Sequence, residues 1–141
     1  MAIIRFYELT SARFSENPLL LVAKLVEKAF EQSADCAILV NDNQQAEALD
    51  DLLWSYAEDA FLPHQIAGQA DDDDDSPILI VTPEFNLPAR AVTINLRDAM
   101  IAEFGERLLE IIPQTETGKT KARERFKAYK ARGENPSFEK V

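Results

Sequence analysis

Short apolar runs alternate along this chain with longer stretches in which apolar residues recur at helical spacing. Apolar runs of roughly four to eight residues, bounded by polar or turn-forming residues, are typical of strands. The run at 34–40 contains only small and apolar residues apart from one aspartate, which indicates an inner strand that is buried on both faces. The pattern predicts strands at residues 3–9, 34–40, 77–82, 91–96 and 107–112.

The stretches between these runs predict helices. Ser15 can cap a helix that ends at residue 32 or 33, and a second helix is expected at 44–56. A helical turn is expected at 98–104 because Gly105 is a suitable stop. A basic helix follows the last strand. Helices that alternate with short strands indicate an α/β domain, in which a mostly parallel sheet is flanked by helices in three layers.

The length of 141 residues corresponds to a single domain. We assign residues 1–133 to this domain and expect an exposed loop at about 69–76. The five consecutive aspartates at 71–75 repel one another and cannot be buried without partners. Residues 134–141 show no periodicity and are treated as a C-terminal tail, which frays unless Phe138 is docked.

The last helix is a cationic segment on an anionic protein. Residues 119–132 hold seven of the fifteen basic residues and one acid, giving +6; the whole chain carries −10, so the other 127 residues carry −16. At about 100° per residue, Ala122, Phe126 and Tyr129 form one apolar stripe. Either this stripe packs on the core and the charges are solvated, or it binds a short peptide that carries carboxylates and a large apolar side chain. Basic residues flank the stripe on both sides: Lys119, Arg123, Lys127 and Lys130 on one, Lys121, Arg125 and Arg132 on the other.

The segment PQTETGKT at 113–120 lies between a strand and a helix, where a phosphate-binding loop would lie. Such a loop needs glycine at its first motif position, whereas this chain has Pro113, which lacks an amide hydrogen. A degenerate nucleotide-binding protein that uses Gly118, Lys119 and Thr120 is therefore the weaker alternative function.

Other features exclude further classes of function. A pI near 4.5 argues against broad, sequence-independent DNA binding. The single cysteine, Cys36, cannot form an internal disulfide, which suits a reducing cytoplasm, and it leaves no cysteine cluster for a metal. The one histidine, His64, has no nucleophile motif beside it. The longest apolar run, 18–26, is too short to span a membrane. We expect no catalytic residue, metal or cofactor.

Three segments together resemble one protein family over nearly the full length of the chain. They are FYEL at 6–9, LDDLLWSYAEDAFLPHQIAG at 49–68, and IIPQ at 111–114 followed by ARERFKAYKARG at 122–133. The family is the chi subunit of the bacterial DNA polymerase III holoenzyme. The resemblance implies a nucleotide-binding-like α/β fold without a functional phosphate loop. It also implies an accessory subunit of a DNA-directed DNA polymerase that has no catalysis of its own.

The resemblance further implies two partners. One is the acidic C-terminal tail of single-stranded DNA-binding protein, and the other is the psi subunit of the clamp loader. By residue type and position alone, Trp54 and Phe61 are either core residues or a protein-binding hot spot. Under the resemblance, they match residues that face psi, or a helicase-type partner that competes for that surface. The expected protein is cytoplasmic, a monomer or a 1:1 heterodimer with psi, and contacts DNA indirectly. By position, Lys119, Arg123 and Lys127 would pair with charges of the tail, and Ile112 and Phe126 would line the pocket for its terminal ring.

Overall fold

A single parallel sheet organises the chain. The computed structural model describes residues 2–56, 62–69, 76–86 and 90–141. The described strands follow the order β3-β4-β2-β5-β6-β1-β7, and every recorded pairing is parallel. The elements are β1 (Ile3–Glu8), α1 (Ala12–Glu16), α2 (Pro18–Glu31), β2 (Cys36–Leu39), α3 (Asn43–Ser55), β3 (His64–Ile66), β4 (Ile78–Val81), β5 (Val92–Asn95), β6 (Arg107–Ile111), α4 (Glu116–Ala131) and β7 (Ser137–Lys140).

The helices cover the sheet on two sides and produce the three predicted layers. The central strands β2 and β4 are buried at every position, which explains why they read as unbroken apolar runs. β5 is also buried at every position, although Thr93 and Asn95 alternate with its apolar residues. On one face, α2 and α3 pack against alternate strand residues such as Ile38, Ile80 and Ile94. On the other face, α4 packs through Ala122 and Tyr129 on the side chains that point the opposite way.

Residues 11–31 form two helices rather than one. The Ser11 side chain accepts the Phe14 amide and caps α1, whereas Asn17 adopts a non-helical conformation and Pro18 opens α2. The prediction that Ser15 caps a single helix is therefore wrong. Proline disfavours a helical conformation in the residue before it and is well suited to the first helical position, so Pro18 separates the two helices.

The predicted helical turn at 98–104 is also wrong, because this segment is irregular. Its backbone groups bond to side chains of α4 instead of to one another. The Arg125 Nη1 atom donates to Asp98 O at 3.0 Å, and the Ile101 amide donates to the Tyr129 hydroxyl at 2.9 Å. These long-range bonds satisfy the backbone and remove the need for a local helix.

Two short edge strands had no sequence prediction. β3 has three residues and pairs with β4, and β7 falls in the segment in which the sequence shows no periodicity. β7 pairs with β1 so that Phe138 lies beside Phe6. Both strands are held by pairing with distant segments, which local periodicity does not report. Residues 70–75 of the predicted acidic loop lie outside the described residues.

The segment that carries the incomplete phosphate-loop motif forms the cap at the start of α4. The Thr115 hydroxyl accepts the Gly118 amide at 3.0 Å and caps α4, so this amide is already paired. Ligands of open α/β sheets bind beyond the carboxyl ends of the strands. There Arg97 donates from Nε to Val40 O and from Nη2 to Val81 O, both at 2.8 Å.

Candidate functional site: a cationic pocket beside the last helix

A pocket of about 380 Å³ lies between α4 and the edge of the sheet formed by β1 and β7. Spacing on α4 explains how one helix supplies most of its wall, because residues three and four apart lie on one face. The pocket brings together all five residues that were predicted to bind a peptide tail. It is lined by Phe6, Glu8, Ile112, Lys119, Ala122, Arg123, Phe126, Lys127 and Phe138.

The floor of the pocket is apolar and aromatic. The rings of Phe6 and Phe126 lie 5.2 Å apart with an interplanar angle of 59°, a tilted arrangement that favours aromatic contact. Ile112 is buried beside them, and Phe138 on β7 is half exposed. The floor therefore suits a ring or a branched apolar side chain rather than a polar ligand.

The pocket wall carries three cations of α4. Lys119, Arg123 and Lys127 follow one another at four-residue spacing on the same face. Among the described residues, no carboxylate lies within ion-pair distance of these three side chains. One acid, Glu8 at the end of β1, also lines the pocket. Three cations against one acid leave the pocket with a net positive charge.

The opposite flank of α4 is used inside the protein. Arg125, which was predicted to flank a peptide together with Lys121 and Arg132, is buried and only 4% exposed. Its Nε atom lies 3.2 Å from Glu110 Oε1. Lys121 Nζ lies 3.0 Å from Asp98 Oδ2, and Arg132 Nη1 donates to Ala102 O at 2.8 Å. This second cationic wall is absent from the pocket because its side chains hold the segment that follows β5.

A buried polar cluster sets the position of α4 on the sheet. The Tyr129 hydroxyl donates to Glu110 Oε2 at 2.7 Å, and Asn95 Nδ2 lies 3.0 Å from Glu110 Oε1. Burial raises the pKa of Glu110, whereas the charge of Arg125 and the three donors favour the carboxylate and oppose that rise. Burial, together with the neighbouring Glu110 carboxylate, also raises the pKa of Tyr129. The cluster is fully partnered, so it fixes the face that α4 presents to the pocket.

The sequence pattern did not identify three residues that line the pocket. Phe6 and Glu8 lie on one face of β1 by alternation, and that signal was available once β1 was predicted. Phe138 gave no local signal, because its place in the pocket depends on the pairing of β7 with β1.

Comparison with known proteins decides the family. The family model described as DNA polymerase III chi subunit, HolC, matches residues 1–137. The chain belongs to this family. The chi subunit of Escherichia coli K12 is 30% identical over 82% of this chain and 80% of its own length. The chi subunit of Pseudomonas aeruginosa is 29% identical over 94% of this chain and 92% of its own length.

The fold of this chi-family protein also resembles that of a DEAD-box protein domain and of part of T4 UvsW. The C-terminal domain of the DEAD-box protein Dbp5 superposes with a TM-score of 0.69 at 11% identity, over 99% of this chain and 90% of that one. T4 UvsW gives a TM-score of 0.70 at 11% identity, and this chain spans 41% of its length. At such low identity, the likeness concerns the fold alone. It agrees with the predicted nucleotide-binding-like architecture.

The second predicted contact surface of the chi-family chain lies away from the pocket. Trp54 is 57% exposed on α3, which packs on the face of the sheet opposite α4 and contacts β3 at the other sheet edge. Phe61 lies outside the described residues. The structure thus separates Trp54 from the cationic pocket and does not test the pairing of Trp54 with Phe61.

Within the described ranges, both a cluster of metal-ligating side chains and a membrane-spanning helix are absent. No group of three histidine, cysteine, aspartate or glutamate side chains there could hold a metal ion. No helix within those ranges has the length and apolar character needed to cross a membrane. Burial raises the pKa of the Cys36 thiol to about 12, so this side chain is a buried apolar group rather than a nucleophile at neutral pH.

Proposed function

We propose that this chi-family protein is a non-catalytic adaptor of the replicative polymerase. In this proposal the cationic pocket binds the acidic C-terminal tail of single-stranded DNA-binding protein, and the surface around Trp54 binds the psi subunit of the clamp loader. One observation carries the proposal: an aromatic floor and three cations without carboxylate partners among the described residues meet in the same pocket.

The chemistry of the pocket matches a peptide that ends in an aromatic residue preceded by acids. The terminal ring can pack on Phe6 and Phe126, where burial of a large apolar side chain contributes about 1.5–3 kcal/mol. The carboxylates can pair with Lys119, Arg123 and Lys127. Of these three, Arg123 can fork onto one carboxylate with two hydrogen bonds. A bare oligonucleotide lacks a terminal apolar group and meets a strongly anionic body outside α4.

The separation of the two surfaces supports simultaneous binding. Because α3 and α4 cover opposite faces of the sheet, a partner on Trp54 need not cover the pocket. Two contacts of modest affinity can then give tight overall binding, because the second contact is effectively intramolecular once the first has formed. A helicase-type partner at Trp54 would compete with psi but not with the tail. DNA is contacted through the single-stranded DNA-binding protein.

The direct test is a calorimetric titration of the whole chain with a short acidic peptide that ends in Phe. The matched control is the same peptide without its final Phe. We expect micromolar binding that weakens by roughly 10-fold to 100-fold in the control, which corresponds to the loss of one buried ring. Equal binding of the two peptides would show that the aromatic floor is not used. Absence of binding by both would refute the tail proposal.

A further inference from the structure

A second pocket, of about 240 Å³, lies on the face of the sheet that α2 covers. Strand β1 supplies residues to both pockets by alternation: Phe6 points towards α4, whereas Arg5 and Tyr7 point towards α2. Arg107 opens β6, and Gln32 follows the last turn of α2. The second pocket therefore lies near the amino ends of β1 and β6, across the sheet from the cationic pocket.

Three basic side chains line the second pocket. Arg5 and Arg107, on β1 and β6, are partly buried, and Lys28 on α2 is exposed. Among the described residues, none of the three lies within ion-pair distance of a carboxylate, and no acid belongs to the lining. Acids outnumber basic residues in the chain by 25 to 15. A concave site that collects three cations and no acid therefore differs in charge from the protein as a whole.

The end of α2 accounts for only one of these charges. Lys28 lies in the last turn of the helix, where a cation complements the partial negative charge of the helix end. Arg5 and Arg107 belong to strands, and sheets have only small net dipoles. The Nη1 atom of Arg107 donates to Gln32 Oε1 at 3.1 Å, which uses one hydrogen of the guanidinium. The remaining hydrogens of that group can bind an anion.

Two uncharged donors accompany the cations. Burial raises the pKa of Tyr7, and the adjacent Arg5 opposes that rise, so Tyr7 is a neutral hydroxyl that can donate. The Gln32 side chain can donate from Nε2 while its Oε1 accepts from Arg107. Glu139 on β7 pairs with Tyr7 and faces the same side of the sheet, but it does not line the pocket. Donors from β1, β6 and α2 thus surround one cavity.

We propose that the second pocket binds a phosphate group, either free or as a small phosphate monoester. A carboxylate can be satisfied by one guanidinium fork, whereas a phosphate group presents further oxygens to a second guanidinium and an ammonium group. The cationic pocket differs because its aromatic floor favours an apolar group, which a phosphate lacks. This inference goes beyond the proposed function, since it depends neither on tail binding nor on psi.

Nuclear magnetic resonance can locate the site in the unaltered protein. Titration of the isotope-labelled whole chain with inorganic phosphate at low salt should shift the backbone amide signals of β1, β6 and the end of α2. The shifts should saturate with a Kd of about 1 mM or below, and the amides of α4 should not shift. Shifts confined to α4, or shifts that do not saturate below about 10 mM phosphate, would overturn the inference.

Two lysines of α2 provide a matched pair of variants. Lys28→Gln removes an exposed cation from the lining and should weaken phosphate binding roughly 3-fold to 10-fold in calorimetry. Lys24→Gln removes the same charge one helical turn earlier, from an exposed side chain outside the lining, so its Kd for phosphate should stay that of the wild type. Equal weakening in the two variants would assign phosphate binding to net charge and contradict a defined site.

Three probes identify the source of the phosphate group. Equal affinities for inorganic phosphate and adenosine monophosphate would show that free phosphate is sufficient, whereas tighter binding of the nucleotide would identify an ester as the ligand. Both outcomes support the inference. Adenosine lacks the phosphate group and should leave the amide signals of the second pocket unshifted. Adenosine that binds this pocket as tightly as adenosine monophosphate would show that the three cations are not used, and the inference would fail.

Discussion

The two flanks of α4 carry similar basic residues but have different roles in the structure. On one flank, Arg125 is buried against Glu110 and donates to the backbone of the segment that follows β5. On the other, Lys119, Arg123 and Lys127 have no carboxylate within ion-pair distance among the described residues and line a pocket. A basic helix on an acidic protein is therefore not uniformly a binding surface.

The difference follows from what lies beneath each flank. Arg125 faces a buried carboxylate, which must be paired if it is to remain charged in the core. Arg123 and its neighbours lie over aromatic side chains, which provide no internal counter-charge. One flank thus fixes the helix on the sheet, and the other leaves its charges available to a ligand. Substitutions on the two flanks should separate folding from binding.

The largest effect is expected from Arg125→Ala. This change leaves the Glu110 carboxylate buried without its ionic partner, and breaking a buried pair in this way typically costs about 3–5 kcal/mol. The free energy of unfolding, measured by urea denaturation, should fall by that amount. The control is Lys121→Ala, which removes an exposed ion pair on the same flank and should cost about 1 kcal/mol or less. Similar losses in the two variants would show that the buried cluster does not anchor α4.

A smaller effect, on binding rather than stability, is expected from Arg123→Ala. Loss of a charged hydrogen-bond donor from the pocket should weaken binding of the acidic, Phe-terminated peptide by about 1–3 kcal/mol. The urea midpoint should stay that of the wild type. Lys121→Ala again serves as the control, because it removes the same charge from the same helix outside the pocket, and calorimetry should find its peptide affinity nearly unchanged. If Arg123→Ala loses as much folding stability as binding, Arg123 is structural.

Much of the fold was predictable because its main elements are encoded locally. Apolar runs identified the inner strands β2 and β4, since strands buried on both faces need no polar alternation. β5 was identified by alternation of apolar and polar residues, but its polar residues Thr93 and Asn95 are buried as well. The missed and wrong predictions concern segments whose backbone groups form hydrogen bonds with residues that are distant in the sequence. β7 depends on β1, and residues 98–104 depend on the side chains of α4. Such contacts leave no periodic signal in the segment itself.

The site was predictable in part for the same reason. Helical spacing alone brings Lys119, Arg123, Phe126 and Lys127 onto one face, and the family resemblance added Ile112. Spacing could not distinguish these cations from Arg125, because burial of Arg125 depends on Glu110 in β6. Tyr129, predicted to share one stripe with Phe126, lies wholly in the core. Tyr129 therefore matches the interpretation in which the stripe packs on the core, whereas Phe126 lines the pocket. The binding role of the pocket residues stays a prediction.

The smallest effect tests the one acid that lines the pocket. Glu8→Gln removes a negative charge that repels an acidic peptide, so the peptide should bind about twofold to fivefold more tightly at low salt. The gain should shrink above about 0.1 M salt, where the screening length is near 10 Å. Glu139→Gln is the matched control: it removes the same charge from the adjacent strand β7, but Glu139 lies beside Tyr7 and so faces away from the pocket. Equal tightening by both variants would assign the effect to net charge, and weaker binding to Glu8→Gln would mean that Glu8 accepts a hydrogen bond from the peptide.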